Sequence, residues 1–196
     1  FGAPTTVATD VIPQSIALED LNGDSISDLL TLKLGMDGVY VQLGTGTGGF
    51  GAPTFYATAP TLPPGLFPQS ILIRDMNGDS NPDIVTANAN FNSVAVLLGA
   101  GRGSFALGQT YPVGAQLMHW STPAIAIGDL KKDGLQDLVA LVNDGPGSGP
   151  EAAVSVLLGT GAGALGAATI TAFSGVAPCY YVPLAELHRD RHSGLV

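Results

Sequence analysis

A nine-residue acidic stretch returns three times in this chain, and that recurrence constrains the fold more than any other feature. DLNGDSISD at Asp20–Asp28 comes back as DMNGDSNPD at Asp75–Asp83 and as DLKKDGLQD at Asp129–Asp137. The first two copies start 55 residues apart and the second and third 54 apart. A fixed period of about this length marks a chain built from stacked supersecondary units. The flanks repeat in register. SIALED, SILIRD and AIAIGD lead into the three stretches, and DLLTLKL, DIVTANA and DLVALV run out of them. VYVQLGTGTG, VAVLLGAGRG and VSVLLGTGAG follow, and FGAPTFY, FALGQTY and LGAATIT close the units at residues 50–56, 105–111 and 165–171.

Each apolar run is short, rich in β-branched side chains, and bounded by Gly, Asn, Asp or Pro, which predicts strands. No segment holds a helical period, and the 27 Gly and 14 Pro recur too often for long helices. Four strands in each unit of about 55 residues predict an all-β chain, a β-propeller of four-stranded antiparallel blades. The expected blades are residues 14–58, 69–112 and 123–172. Phe1 to Val7, FGAPTTV, reads as the closing strand of a preceding unit, an orphan outer strand over residues 1–8. Residues 181–196 align with the third repeat and read as the start of a degenerate fourth blade. There Glu186, His188 and Asp190 hold loop positions 1, 3 and 5, and Gly194 replaces the acid of position 9. The expectation is a fragment of a larger propeller, completed by flanking blades or by self-association, because open sheet edges invite pairing.

In all three acidic stretches a carboxylate stands at positions 1, 5 and 9, and in the first two Asn22 and Asn77 stand at position 3. Alternating oxygen donors around a tight turn suit Ca²⁺, a hard cation that takes about 6–8 oxygens from carboxylates, amides, carbonyls and water. Three aspartates within nine residues repel one another unless a cation or solvent compensates them. These stretches therefore read as calcium loops. Nine of the sixteen acidic residues lie in them, so the net charge of −9 is local and says little about a basic partner. With 7 Lys+Arg and no basic run, nucleic acid and anionic membranes are excluded as expected partners. No apolar run is long enough to span a bilayer. The single cysteine, Cys179, has no internal partner for a disulfide.

The linked motifs resemble the FG-GAP/VCBS repeat family, which includes the propeller repeats of integrin α subunits and repeats of many secreted bacterial proteins. The resemblance rests on FG-x-P (Phe50, Gly51, Pro53; also Phe1, Gly2, Pro4) and on the D-x-N-G-D-x-x-x-D loop. It implies that the loop joins the first and second strands of a blade. It also implies that the ion is held by positions 1, 3, 5 and 9 with a backbone carbonyl at 7. Carried over, the first site is Asp20, Asn22, Asp24, the carbonyl of Ile26, and Asp28. The second is Asp75, Asn77, Asp79, the carbonyl of Asn81, and Asp83. The third is Asp129, Asp133, the carbonyl of Leu135, and Asp137, with Lys131 where the family supplies an oxygen, so it is expected to bind more weakly. No calcium is expected at the degenerate fourth loop, beside Arg189 and Arg191.

Other readings fit less well. An EF-hand needs Gly at position 6 and a bidentate Glu at position 12 between helices; here position 12 is Thr31, Thr86 and Ala140. His188 and His192 have a zinc-compatible i, i+4 spacing but no third ligand beside them. Gly44–Gly49 lacks the Lys-Ser/Thr ending of a phosphate loop and reads as a hairpin turn. No nucleophile elbow, HExxH or paired carboxylate outside the loops appears, so an enzyme is not expected.

The calcium ions are expected to act as structural pins, with binding energy becoming folding energy. Recognition is expected on the opposite face. There Met36, Asp37, Asn88, Asn90, Phe91, Asn92 and residues 143–150 gather, with Phe67, His119, Trp120, Tyr180 and Tyr181 on the blade connections. The large aromatics among these equally suit plugs between blades. The expected function is a calcium-dependent adhesion or binding module with a protein or glycan partner. A lectin-like module is the first alternative and a non-catalytic part of a larger secreted enzyme the second. Loops of this kind bind Ca²⁺ at about 10⁻⁴–10⁻³ M in extracellular modules, which places the chain outside the cell or on its surface.

Overall fold

The computed structural model describes residues 13–33, 36–58, 68–88, 92–107, 109–114, 124–142 and 152–173. These contain strands and turns and no helix. β1 (Pro13–Glu19), β2 (Asp28–Lys33), β3 (Gly38–Gln42) and β4 (Thr54–Ala57) form one sheet in that order. β5 (Pro68–Arg74), β6 (Asp83–Asn88) and β7 (Ser93–Gly99) form the second. Its outer edge is shared, because β8 (Phe105–Ala106) pairs with the end of β7 and β9 (Thr110–Pro112) with its start. β10 (Ile125–Gly128), β11 (Asp137–Val142), β12 (Ala152–Leu157) and β15 (Thr169–Phe173) form the third. β13 (Gly159–Gly161) and β14 (Ala164–Leu165) make a small hairpin beside it. Every pairing is antiparallel.

The expected all-β, four-stranded blades are what the chain forms, in the expected order. One boundary differs. The FG-x-P stretch lies ahead of the fourth strand, with Phe50 making an isolated bridge to Gly44 and β4 beginning only at Thr54. Pro53 explains the delay, since it has no N–H to give to a ladder. The expected orphan strand at 1–8 and the degenerate fourth blade at 181–196 lie outside the described residues.

Register dictates which side chains meet. Opposed residues of neighbouring strands share a face, so the pairs Leu30–Val41 and Leu32–Val39 put four apolar groups on one side of the first sheet. They pack on Ile71, Ile84, Ala95 and Leu97 of the second. The other side of the second sheet carries Val85, Ala87, Val94 and Val96, which meet Ile125, Leu138, Ala140 and Leu157 of the third. The core thus lies between blades. β6 is covered on both sides and all six of its residues are buried, which is why its sequence reads as a nearly continuous apolar run rather than an alternation. Removing a buried leucine here, such as Leu30 or Leu97, costs about 2–5 kcal/mol. On the far side of the first sheet Ile16 and Leu18 are 64% and 56% exposed, whereas Ile71, at the place of Ile16 in the next repeat, is 8% exposed. Ile71 packs on the first sheet, and among the described residues no sheet packs on Ile16 in the same way.

Candidate metal loops between the first and second strands

The three acidic stretches connect β1 to β2, β5 to β6 and β10 to β11. Each folds back through left-handed backbone at positions 4 and 6: Gly23 and Ser25 (φ 81° and 65°), Gly78 and Ser80 (79° and 69°), Lys132 and Gly134 (60° and 83°). Glycine is free to adopt this region and other residues enter it at a cost. Glycine stands at position 4 in the first two loops and at position 6 in the third, so one strained non-glycine residue remains in each.

The turn aims backbone amides inward at the position 1 carboxylate. Asp20 accepts from Gly23 N at 2.7 Å and Ser25 N at 2.7 Å. Asp75 accepts from Gly78 N at 2.7 Å and Ser80 N at 2.8 Å. Asp129 accepts from Asp133 N at 3.1 Å and Gly134 N at 2.8 Å. Around Asp20, desolvation pushes the carboxyl pKa up, but four amide donors outweigh it and hold the group below its ordinary value.

Positions 3 and 5 are paired. In the first loop Asn22 Oδ1 accepts from Asp24 N at 2.8 Å and Asn22 Nδ2 donates to Asp24 Oδ2 at 3.0 Å. The second repeats this between Asn77 and Asp79 at 2.9 and 3.0 Å. The position 7 residues Ile26, Asn81 and Leu135 each donate their amide to the position 5 carboxylate, at 2.8, 2.7 and 3.1 Å. The Asn81 amide and the Asn77 side chain together hold Asp79 below the ordinary carboxylate range.

Position 9 is the anchor. Asp28, Asp83 and Asp137 are fully buried. One oxygen accepts the position 2 amide, from Leu21 (2.9 Å), Met76 (2.7 Å) and Leu130 (2.8 Å). The other accepts the amide of the glycine at or just past the end of the third strand, Gly44, Gly99 or Gly159, each at 2.7 Å. These glycines are obligatory for packing: a Cβ on Gly44, Gly99 or Gly159 would run into the backbone carbonyl of Ser27, Pro82 or Gln136. For Asp83 desolvation dominates and raises its pKa, against the pull of the Gly99 and Met76 amides, with the charges of Asp79 and Asp75 adding to the rise. The sequence shows the LG pair ending each third strand, but the link between that glycine and the position 9 acid becomes visible only in three dimensions.

The loops also meet the next blade. Gly103, in the hairpin after β7, donates its amide to Leu21 O at 3.0 Å, and Tyr56 Oη donates to Gly103 O at 3.2 Å. Gly163 lies against Leu98 and Asn77 one repeat later. Position 3 of a loop therefore sits at the seam between blades.

The donor set of the first two loops is oxygen only, the kind a hard divalent ion takes. Their carboxylates are nonetheless turned onto the loops' own amides, and among the described residues no three Asp, Glu, His or Cys side chains converge as a metal-holding group. The third loop differs. Lys131 Nζ lies 2.6 Å from Asp133 Oδ2 and donates to Gly159 O at 3.2 Å. The hydrogen bond to Asp133 raises the Lys131 pKa and lowers that of Asp133. An ammonium in this place does not fit a site for Ca²⁺.

On the opposite face the expectation needs correction. Asn88 and Asn92 are buried rather than displayed. Asn88 accepts from Thr86 Oγ1 at 3.2 Å and donates to Ser93 Oγ at 3.3 Å, so its amide ties the end of β6 to the start of β7. The Asp37 carbonyl accepts from both the amide and hydroxyl of Thr58. Phe67, Asn90, Phe91, His119, Trp120, Tyr180, Tyr181, His188 and His192 lie outside the described residues, as do Cys179 and 143–150. A groove of about 600 Å³ runs between the outer edges of the second and third sheets, lined by Gln109, Thr110, Pro112, Leu165 and Ile170.

A protein-family model described as an FG-GAP-like repeat matches residues 20–86 and 75–140. The two matches overlap and together cover more than half of the chain, each running from one acidic loop into the second strand of the following blade. Four-stranded sheets, loops between first and second strands, and this match define the chain as a β-propeller module. It belongs to the FG-GAP-like repeat family.

Among solved structures, the chain is similar in fold to a lectin of Agrocybe aegerita described as recognising non-reducing terminal N-acetylglucosamine. Identity is 23%, the TM-score 0.50, and the match covers 78% of this chain and 36% of the lectin. A match to the Tc holotoxin pore of Photorhabdus luminescens has 23% identity and a TM-score of 0.45, covering 82% of this chain and 7% of that one. The chain thus spans about a third of the lectin's length and a small part of the toxin's. No curated protein matches it.

Proposed function

We propose that this propeller module binds Ca²⁺ in the loops of its first two blades and serves as a non-catalytic binding or adhesion module outside the cell. The observation that carries the reading is the geometry shared by Asp20–Asp28 and Asp75–Asp83. In both, a position 1 carboxylate is held by inward-facing amides, a position 3 amide is paired to the position 5 acid, and a position 9 acid is buried against the end of the third strand. Three amides crowd Asp20 Oδ1, but Asp20 Oδ2 and the oxygens of Asp24 and Asp28 each take one donor and keep a second lone pair. Calcium binding requires Asn22 and Asp24, and likewise Asn77 and Asp79, to exchange their mutual hydrogen bond for the ion. Once bound, the ion compensates three acids that otherwise rely on amides alone. It would brace the first and second strands, and because position 3 lies at the blade seam it would brace the seam as well. An extracellular setting supplies the millimolar Ca²⁺ that loops of this kind need.

The test is a calorimetric calcium titration, with thermal melts in Ca²⁺ and in EDTA. The expected result is binding that raises the melting temperature, lost together with the stabilisation in Asp24→Ala/Asp79→Ala. Absence of binding at millimolar Ca²⁺ refutes the metal assignment.

A carbohydrate-binding role is the second reading. It is supported by the likeness in fold to the Agrocybe aegerita lectin and by the groove between the outer edges of the second and third sheets. A glycan panel that includes terminal N-acetylglucosamine decides it: saturable binding supports a lectin, and no binding leaves a protein partner as the reading to pursue.

A further inference from the structure

The third loop keeps all three acids of its relatives but replaces the position 3 amide with Lys131 and adds Lys132 at position 4. The first two loops carry no basic residue at all. Asn22 and Asn77 donate to the Oδ2 atoms of Asp24 and Asp79 at 3.0 Å. Lys131 donates to the same atom of its own position 5 acid, Asp133 Oδ2, at 2.6 Å. It also reaches further than an amide can, to the Gly159 carbonyl at 3.2 Å, while the Gly159 amide is held by Asp137. The ammonium therefore ties the middle of the loop to the end of the third strand, two places that the other loops join only through position 9. It brings a full positive charge and up to three donors to three crowded carboxylates.

We infer that the Lys131 ammonium is the resident cation of the third loop, so that blade three is pinned without calcium while blades one and two depend on it. A divalent ion at this loop would have to displace a like charge already hydrogen-bonded to its position 5 ligand, and it would find no oxygen at position 3. The consequence is a graded module in which removal of calcium loosens two blades and spares the third. For the calcium content of the first two loops the inference rests on the proposed function. For the third loop it stands on the lysine geometry alone.

The experiment uses the full chain with Lys131→Gln, Lys131→Asn and, as a control for net charge, Lys132→Gln. In EDTA, Lys131→Gln should melt lower than Lys132→Gln by roughly 2–4 °C, the shift that a modest loss of stability gives in a chain of this size. Equal melting of the two variants overturns the inference. In a calcium titration by calorimetry the unaltered chain should bind two equivalents and Lys131→Asn, which restores the position 3 oxygen, three. Three equivalents in the unaltered chain, or no gain in Lys131→Asn when the other loops bind, also overturns it. If no loop binds calcium, the proposed function fails and the EDTA comparison still decides the role of Lys131. If Lys131→Gln does not fold in EDTA, the equivalents bound by Lys131→Asn in calcium decide it.

Discussion

The Asp83 carboxylate accepts the Gly99 amide at 2.7 Å across sixteen residues of chain, and this bond fastens the acidic loop of the second blade to the end of its third strand. The other oxygen accepts Met76 N, also at 2.7 Å. Asp83 is fully buried, so both amides depend on it for a partner. Asp83→Asn keeps the shape but replaces one acceptor with an NH₂ that must face an N–H donor. Leaving a buried donor unsatisfied costs about 1–3 kcal/mol. The expected outcome is a loss of that size in EDTA, where any metal contribution is absent, read from the urea midpoint with the m-value unchanged.

The same contact sets opposite expectations for two glycines. A Cβ on Gly99 would collide with the Pro82 carbonyl, and neither backbone can withdraw without disturbing the bond to Asp83. Gly78 has φ of 79° and nothing within 4 Å of an added Cβ. Gly78→Ala should therefore cost only the left-handed backbone, about 1–2 kcal/mol. Gly99→Ala should cost more than Gly78→Ala, and parallel denaturant melts rank them directly.

These glycines also show where sequence reading stops. The repeat, the strand count and the antiparallel blades were legible because apolar runs bounded by turn residues recur in register, as in DIVTANA and VAVLLG. The loop acids were legible by residue type. What Asp28, Asp83 and Asp137 do was not, because their partners Gly44, Gly99 and Gly159 lie 16 to 22 residues away and are recognised through backbone amides that no side-chain pattern encodes. The left-handed turn at position 6 was hidden for a similar reason, since Ser25 and Ser80 adopt it against their own preference to free two amides for Asp20 and Asp75. Asn88 misled in the other direction. An amide in a presumed loop reads as display, yet Asn88 is the buried last residue of β6 and bonds to Ser93 on β7.

The loop carboxylates also give a pH dependence to the calcium-free chain. Asp20, Asp79 and Asp133 have folded pKa values below the ordinary 3.8. Each binds its proton less readily when folded, so each contributes stability above the unfolded value that is lost as pH falls through the folded one. Asp83 has the opposite sign: its folded pKa is raised, so its ionised form costs stability above that value and the cost is relieved as pH falls. The three lowered groups drive a loss of stability in acid and Asp83 opposes it. Melting temperature in EDTA should hold near neutrality and fall below about pH 4, and Asp83→Asn should remove the opposing contribution and steepen the fall.

Two tyrosines at equivalent places in successive blades lock onto the next blade with different chemistry. Tyr56 donates to the Gly103 carbonyl at 3.2 Å in a partly buried setting. Tyr111, which is buried, donates to Gln109 Oε1 at 2.9 Å and accepts the Leu165 amide at 3.1 Å. Tyr56→Phe removes the donor of a single partly buried hydrogen bond, so about 0.5–1.5 kcal/mol should be lost. Tyr111→Phe leaves the buried Leu165 amide without this oxygen and frees Gln109 as well, which costs about 1–3 kcal/mol. The expected order is Tyr111→Phe the more destabilising by urea melt. Hydrogen exchange should locate its effect at Leu165, where the hydroxyl binds. Equal losses would mean that the Leu165 amide finds another partner when the Tyr111 hydroxyl is gone.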